Sequence, residues 1–372
     1  DQSNFDTRVD VTVYKQEANY IFRRGTAVSR GFLNNLKNKD NSQTYLYEHN
    51  GQYAVDANGE KFISNDGFAL GKYKLNGSDY TGAICLTVSS GVCTSDIIGY
   101  LPRIAVGSSF GINDSNSYVS VSDTWYIRSL SDRSPVSNAS LAPGIMYFDG
   151  NLEIAGHANW QADSQSNSFT NSFLADGYIN AIAFSPRIYS PYNVTRETRE
   201  GQESLICNRR LKDVGGADLT PSQTTPKTLS DTYLVPTNLC KNDTQFAYNM
   251  HKTADGEQDH VTIDGEPIEK LDLGNVALMA NGTIRVGACA QIFGDVLARK
   301  RFEGSAACGI TNNPNAVTGN ISTQNKDTNL LTTFGHGTNL VIPAPDQNNG
   351  GQDGNGNGLR VNSAELKWAR YK

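Results

Sequence analysis

The sequence predicts an α+β protein, with an N-terminal amphipathic helix on an antiparallel sheet, followed by a mainly β region with parallel β-solenoid coils. Three patterns carry that prediction. Apolar residues recur at intervals of three and four from Tyr14 to Leu36. Short alternating runs separated by turn residues fill positions 44–145. Beyond position 146 a Gly-Asn-apolar triplet returns at spacings of roughly 20 to 27 residues.

The helix is expected from Tyr14, Ala18, Ile21, Gly25, Val28, Phe32 and Leu36, with Lys15, Gln16, Arg23, Arg24, Ser29 and Asn34 between them. That spacing puts one apolar stripe on one side. Ahead of it, Val9, Val11 and Val13 alternate with polar residues and suit a strand better. The sheet is expected to pack on the helix. Its hairpin signals are His49, Asn50 and Gly51 between Tyr45-Leu46-Tyr47 and Tyr53-Ala54-Val55, and a Ser-Ser-Gly turn between Cys85 and Cys93. Further strands are expected at 104–106, 118–121 and 124–127.

The solenoid reading rests on Gly150-Asn151-Leu152, Gly274-Asn275-Val276 and Gly319-Asn320-Ile321. Gly294-Asp295-Val296 and Gly177-Tyr178-Ile179 are near copies. Short strands that stack into coils need sharp corners, and Gly and Asn tolerate the left-handed backbone such corners use. A polar stretch at about 187–268 interrupts the repeats and carries Cys207 and Cys240. The expected division is therefore 1–145 for helix and sheet, 146–345 for the solenoid with its insertion, and 346–372 for a Gly/Asn-rich linker and closing strand.

Composition narrows the function classes. The chain has 372 residues, 38% hydrophobic and only 19% charged, with 35 glycines. Neutral polar residues replace charge, as in extracellular β-proteins. The net charge is −6 and the cations are scattered, which argues against a nucleic-acid partner. No run is long and apolar enough to span a bilayer. The chain starts at Asp1, so a membrane is expected only through a missing N-terminal anchor. Six cysteines stand at 85, 93, 207, 240, 289 and 308. Pairing each with its sequence neighbour (Cys85 with Cys93, Cys207 with Cys240, Cys289 with Cys308) is the simplest framework, and an even count favours an oxidising compartment. The seven Asn-x-Ser/Thr sequons match the number chance gives a chain this rich in these residues.

Chemistry-bearing patterns are sparse. Asp353, Asn355 and Asn357 precede Gly358 in a D-x-N-x-N-G run that begins like a calcium loop, but Ala364 stands where the closing acid belongs. No other cofactor is expected. The histidines, at 49, 157, 251, 260 and 336, form no metal-binding or catalytic pair. No Gly-x-Ser-x-Gly elbow occurs. Asp149, Glu153, Asp163 and Asp176 are the acids near the first coils and the obvious candidates for acid-pair glycan cleavage.

The helix from Tyr14 to Leu36 and the sheet after it resemble the ectodomain of a type IV pilus minor pilin. In that family an apolar helix half anchors and polymerises the subunit, and the resemblance implies other pilus or surface subunits as partners. The run from Leu273 through Met279 to Gly319-Asn320-Ile321-Ser322-Thr323 is similar to the coils of polymer-forming, bactofilin-like proteins. Neither resemblance brings a catalytic residue. Together they imply a non-enzymatic structural or adhesive protein on a bacterial cell surface or pilus, with a glycan or surface receptor as its other partner. A solenoid carbohydrate-active enzyme and a non-binding polymer-forming scaffold are the alternatives.

Overall fold

The computed structural model describes residues 8–24, 30–37, 44–47, 67–68, 72–75, 77–81, 83–85, 87–94, 97–100, 104–106, 124–127, 141–155, 168–183, 186–193, 206–207, 234–242, 245–247, 259–287, 290–304, 315–318, 321–323, 333–334 and 338–341. Their organising unit is a coil of three short strands, one on each of three faces. Face A holds Tyr20–Arg23, Gly144–Phe148, the end of Ser168–Ala175, Val276–Ala280, Asp295–Ala298 and Ile321–Thr323. Face B holds Thr124–Ile127, Asn151–Ala155, Ile179–Ala183, Ile284–Val286, Phe302–Gly304 and Thr333–Phe334. Face C holds the start of Ser168–Ala175, then Arg187–Tyr189, Gln291–Phe293, Asn315–Thr318 and Thr338–Val341. Every pairing along each face is parallel. The strands at positions 20–23 and 124–127 belong to the same two sheets as those beyond position 146.

The α+β expectation is corrected. The segment read as an amphipathic helix is a 3-10 turn, Val11–Glu17, followed by the strands Tyr20–Arg23, Arg30–Leu33 and Leu36–Lys37. Two effects produced the helix-like spacing. Tyr14 and Ala18 are buried in and just after a 3-10 turn, which also takes in Val11 and Val13, expected to alternate in a strand. Tyr20, Ile21 and Phe22 form an unbroken apolar run because that strand is buried on both sides. The only helical elements among the described residues are short 3-10 turns. The antiparallel pieces, among them the hairpin Lys72–Leu75 with Ser78–Thr81, therefore decorate a stack of coils and do not lie on a helix. The 118–121 strand and the 49–51 turn lie outside the described residues.

Inward-facing side chains fill the stack. On face B, Trp125, Leu152, Ile179, Ile284 and Phe302 are in register from coil to coil and all buried. On face A, Phe22 lies over Phe148, their ring centroids 4.7 Å apart, and Trp125 reaches both. Burying each such ring contributes about 1.5–3 kcal/mol. The indole N–H of Trp125 donates to the carbonyl of Asp149 at 2.9 Å, so its polar edge is satisfied.

The corner from face A to face B shows why glycine recurs. Its backbone forms a column in which Gly177 N–H donates to Gly150 O at 2.8 Å and Gly282 N–H donates to Gly177 O at 2.7 Å. A Cβ on Gly282 would meet that same Gly177 oxygen at 2.7 Å and the carbon behind it at 2.8 Å. The glycine triplets in fact mark two different corners. Gly150 and Gly177 turn from face A to face B, whereas Gly274 and Gly294 precede face A strands. Gly294 has φ of +137°, which only glycine adopts readily.

Two long interruptions leave the stack. One separates Arg23 on face A from Thr124 on face B, and the other separates Tyr189 on face C from Val276 on face A. They meet, because Val235–Pro236 of the second pairs antiparallel with Leu36–Lys37 of the first. Each carries a bridge, Cys85–Cys93 in the first and Cys207–Cys240 in the second. Cys289 and Cys308 lie outside the described residues. At the N-terminal end both faces finish on reversed strands. Arg30–Leu33 runs antiparallel to Tyr20–Arg23, and Ile104–Val106 runs antiparallel to Thr124–Ile127. Phe68 seals this end edge-on to Phe22 and so close to Gly31 that a Cβ there would lie 2.0 Å from its ring.

Gly282→Ala is expected to force the third and fourth face A corners apart and cost about 1–3 kcal/mol. Thermal melts followed by circular dichroism measure it, and an unchanged melting temperature would contradict the column.

Candidate functional site

Two surfaces gather polar side chains. The first is the outside of face A with its adjoining corner. The outer row of face A reads Ile21, Tyr147, Leu174, Met279 and Leu297, in register. It is apolar although it points away from the core, and its first four members are buried. The N-terminal segment covers it as a strap. Val11 and Tyr14 of that segment are fully buried, and the Lys15 ammonium sits 5.3 Å from the centre of the Tyr147 ring.

The strap is fastened by side chains and not by strand pairing. Asn281, at the fourth corner, accepts from Val11 N–H at 2.9 Å and donates to Asp176 at 2.8 Å and to Asp10 at 3.3 Å. Asp10 also caps the 3-10 turn, accepting from Thr12 N–H at 2.9 Å and from its hydroxyl at 2.6 Å, and Arg299 lies 3.8 Å away. Further along, Tyr14 accepts from Leu271 N–H at 3.2 Å, and Glu17 pairs with Lys270 at 2.5 Å. At the strap's end Asn19 accepts from Ile145 N–H at 2.8 Å and donates to Asn238 at 2.8 Å, tying strap, stack and second interruption together.

This corner collects two of the four acids singled out from the sequence. Asp149 and Asp176 occupy equivalent places on consecutive coils, so their backbones are about 4.8 Å apart. Each is engaged. Asp149 pairs with Arg24 at 3.1 Å, and Asp176 holds Asn281. Lys15 lies within their field. Burial, helped by Arg23, lowers the Lys15 pKa, while Asp149 and Asp176 act to raise it. Burial pushes the Tyr14 hydroxyl up to about 12, and both burial and the three corner acids push Tyr147 up as well. These groups make a charge-balanced latch. Glu153 is not part of it, since it stands on the outside of face B.

The second surface is that outer row of face B. Tyr126, Glu153, Asn180, Arg285 and Glu303 follow one another in register on five consecutive coils. Unlike the face A row it is polar throughout. Arg285 pairs with Glu303, which also pairs with Arg301. The side chains of Glu153 and Asn180 make no hydrogen bond or ion pair with another described residue.

The remaining sequence candidates fall as follows. Asp163, His49, His157, His251, His336, Asp353, Asn355 and Asn357 lie outside the described residues. His260 is exposed at the start of the hairpin His260–Ile263 with Glu266–Glu269. No three His, Cys, Asp or Glu side chains among the described residues are arranged to hold a metal ion. Asn281 was missed. Its signal was its place before Gly282, which repeats Asp149-Gly150 and Asp176-Gly177.

Compared with family models, curated proteins and solved structures, the chain matches none. The two bridges are compatible with a secreted or extracellular protein. No helix among the described residues is long and apolar enough to cross a membrane.

The latch has a pH signature. For Asp10 the largest single effect is burial, which raises its pKa. The bonds from Thr12 and Asn281 and the charge of Arg299 together outweigh it, so the pKa ends below its ordinary 3.8. A carboxyl depressed on folding stabilises the fold above its unfolded value, and that contribution is lost as pH falls through the folded value. Asp10→Asn is therefore expected to lower the melting temperature at neutral pH and to blunt the drop seen on acidification below about 3.8. Calorimetry of both proteins across pH 2.5–7 measures this, about 2.5–7 being the span that brackets carboxylate titration. Parallel curves would remove Asp10 from the latch.

Proposed function

We propose that the chain is a structural or adhesive subunit displayed on a bacterial cell surface, exposing a rigid β-rich face for assembly or attachment. The observation that carries this reading is the contrast between two outer rows of one stack. The face A row is apolar and closed by the chain's own strap, whereas the face B row is polar and set in register by five parallel strands. Side chains fixed on strands lose little freedom when they meet a partner, which is what an attachment surface requires. Disulfides in both interruptions suit exposure outside the cell.

The acids at the corner support a structural role. Asp149 and Asp176 are bound to Arg24 and Asn281 and serve the strap, which leaves no poised acid pair there. Assembly through an N-terminal helix is not carried forward, since that segment is the strap. Other surface or pilus subunits are the partners this reading implies.

Antibody raised against the purified chain is expected to label intact producing cells as strongly as permeabilised ones, and deletion of the gene is expected to reduce attachment to surfaces. Labelling confined to permeabilised cells would overturn surface display.

A further inference from the structure

We infer that the outer row of face B binds a neutral oligosaccharide laid along the stack axis, one sugar to a coil. The inference rests on the adhesive reading above and gives it a ligand class.

Parallel strands repeat every 4.8 Å or so, which is close to the length of one hexose in an extended chain. The five residues Tyr126, Glu153, Asn180, Arg285 and Glu303 therefore offer side chains over about 19 Å at the period of a polysaccharide.

Asn180 is only 8% exposed, and its Oδ1 is buried without a hydrogen bond. Its strand neighbours Ile179 and Ala181 are buried facing the core, so the amide belongs to the outer side. A buried acceptor left without a donor costs about 1–3 kcal/mol. Turned outward, the same amide would take that donor from a sugar hydroxyl seated between Glu153 and Arg285. Beside it, half-buried Glu153 carries a carboxylate able to accept from two adjacent hydroxyls. Tyr126, at the N-terminal end of the row, adds an aromatic side chain suited to the apolar side of a sugar ring.

Arg285 and Arg301 share the single carboxylate of Glu303. The one carboxylate of the row without such a partner among the described residues is Glu153, in a chain of net charge −6. With Glu153 the two arginines and two glutamates sum to zero, so the row offers a polyanion no excess positive charge and suits a neutral chain of hydroxyls.

Titration calorimetry with cellohexaose, xylohexaose, mannohexaose and chitohexaose tests this, with heparin and hyaluronan fragments as acidic probes. At least one neutral hexasaccharide is expected to bind, and its trisaccharide to bind about tenfold more weakly. Glu153→Ala is expected to weaken binding by about tenfold or more at an unchanged melting temperature. Asn180→Ala should act in the same direction. Failure of every neutral hexasaccharide to bind, a preference for the acidic probes, or binding indifferent to Glu153→Ala would each overturn the inference. Recovery of shortened chains after incubation would overturn it too, in favour of cleavage. Cell labelling reads display separately, so a labelled surface with no glycan binding rejects the ligand and keeps the display.

Discussion

The structure depends on a backbone ladder that runs along one corner. Asp149 N–H donates to Phe22 O, Asp176 N–H to Phe148 O, Asn281 N–H to Ala175 O and Arg299 N–H to Ala280 O, at 2.8 to 3.1 Å. These bonds join residues that are far apart in sequence, and they fix the register of face A against face B at every coil. Once the corner is in register, the inward rows stack aromatic on aromatic and apolar on apolar with no further choice. The same ladder places a side chain beside each glycine, and those side chains became the latch. Fold and latch therefore share one set of positions.

The strap adds a second constraint. A sheet whose outer row is Ile21, Tyr147, Leu174 and Met279 cannot be left in water without exposing a large apolar patch. Covering it with twelve or so residues fastened by Asn281, Asp10, Tyr14, Glu17 and Asn19 turns the patch into core. The second interruption does part of the fastening through Lys270, Leu271 and Asn238. A stretch that sequence shows only as a break in the repeats thus holds the N-terminal segment down.

Much of the β architecture was legible because its causes are local. Gly150, Gly177 and Gly294 stand at corners for steric reasons that one residue can display, and Cys85 and Cys93 bracket a hairpin they can span. The helix was misread because periodicity reports which residues are buried and not what covers them. Tyr14 and Ala18 are buried from one side by the sheet they strap, Ile21 from both sides, and these joined by accident into one stripe. The site was less legible still. Glu153 was named among four acids, but its neighbours Asn180 and Arg285 lie 27 and 132 positions downstream, and no local pattern links them. Only the coil register makes them a row.

The reversed strands at the first coil give the molecule a direction. A second copy brought against Arg30–Leu33 and Ile104–Val106 meets chains running the wrong way to extend the parallel ladder, with Phe68 filling the hollow. That end is closed to continuation of the parallel ladder.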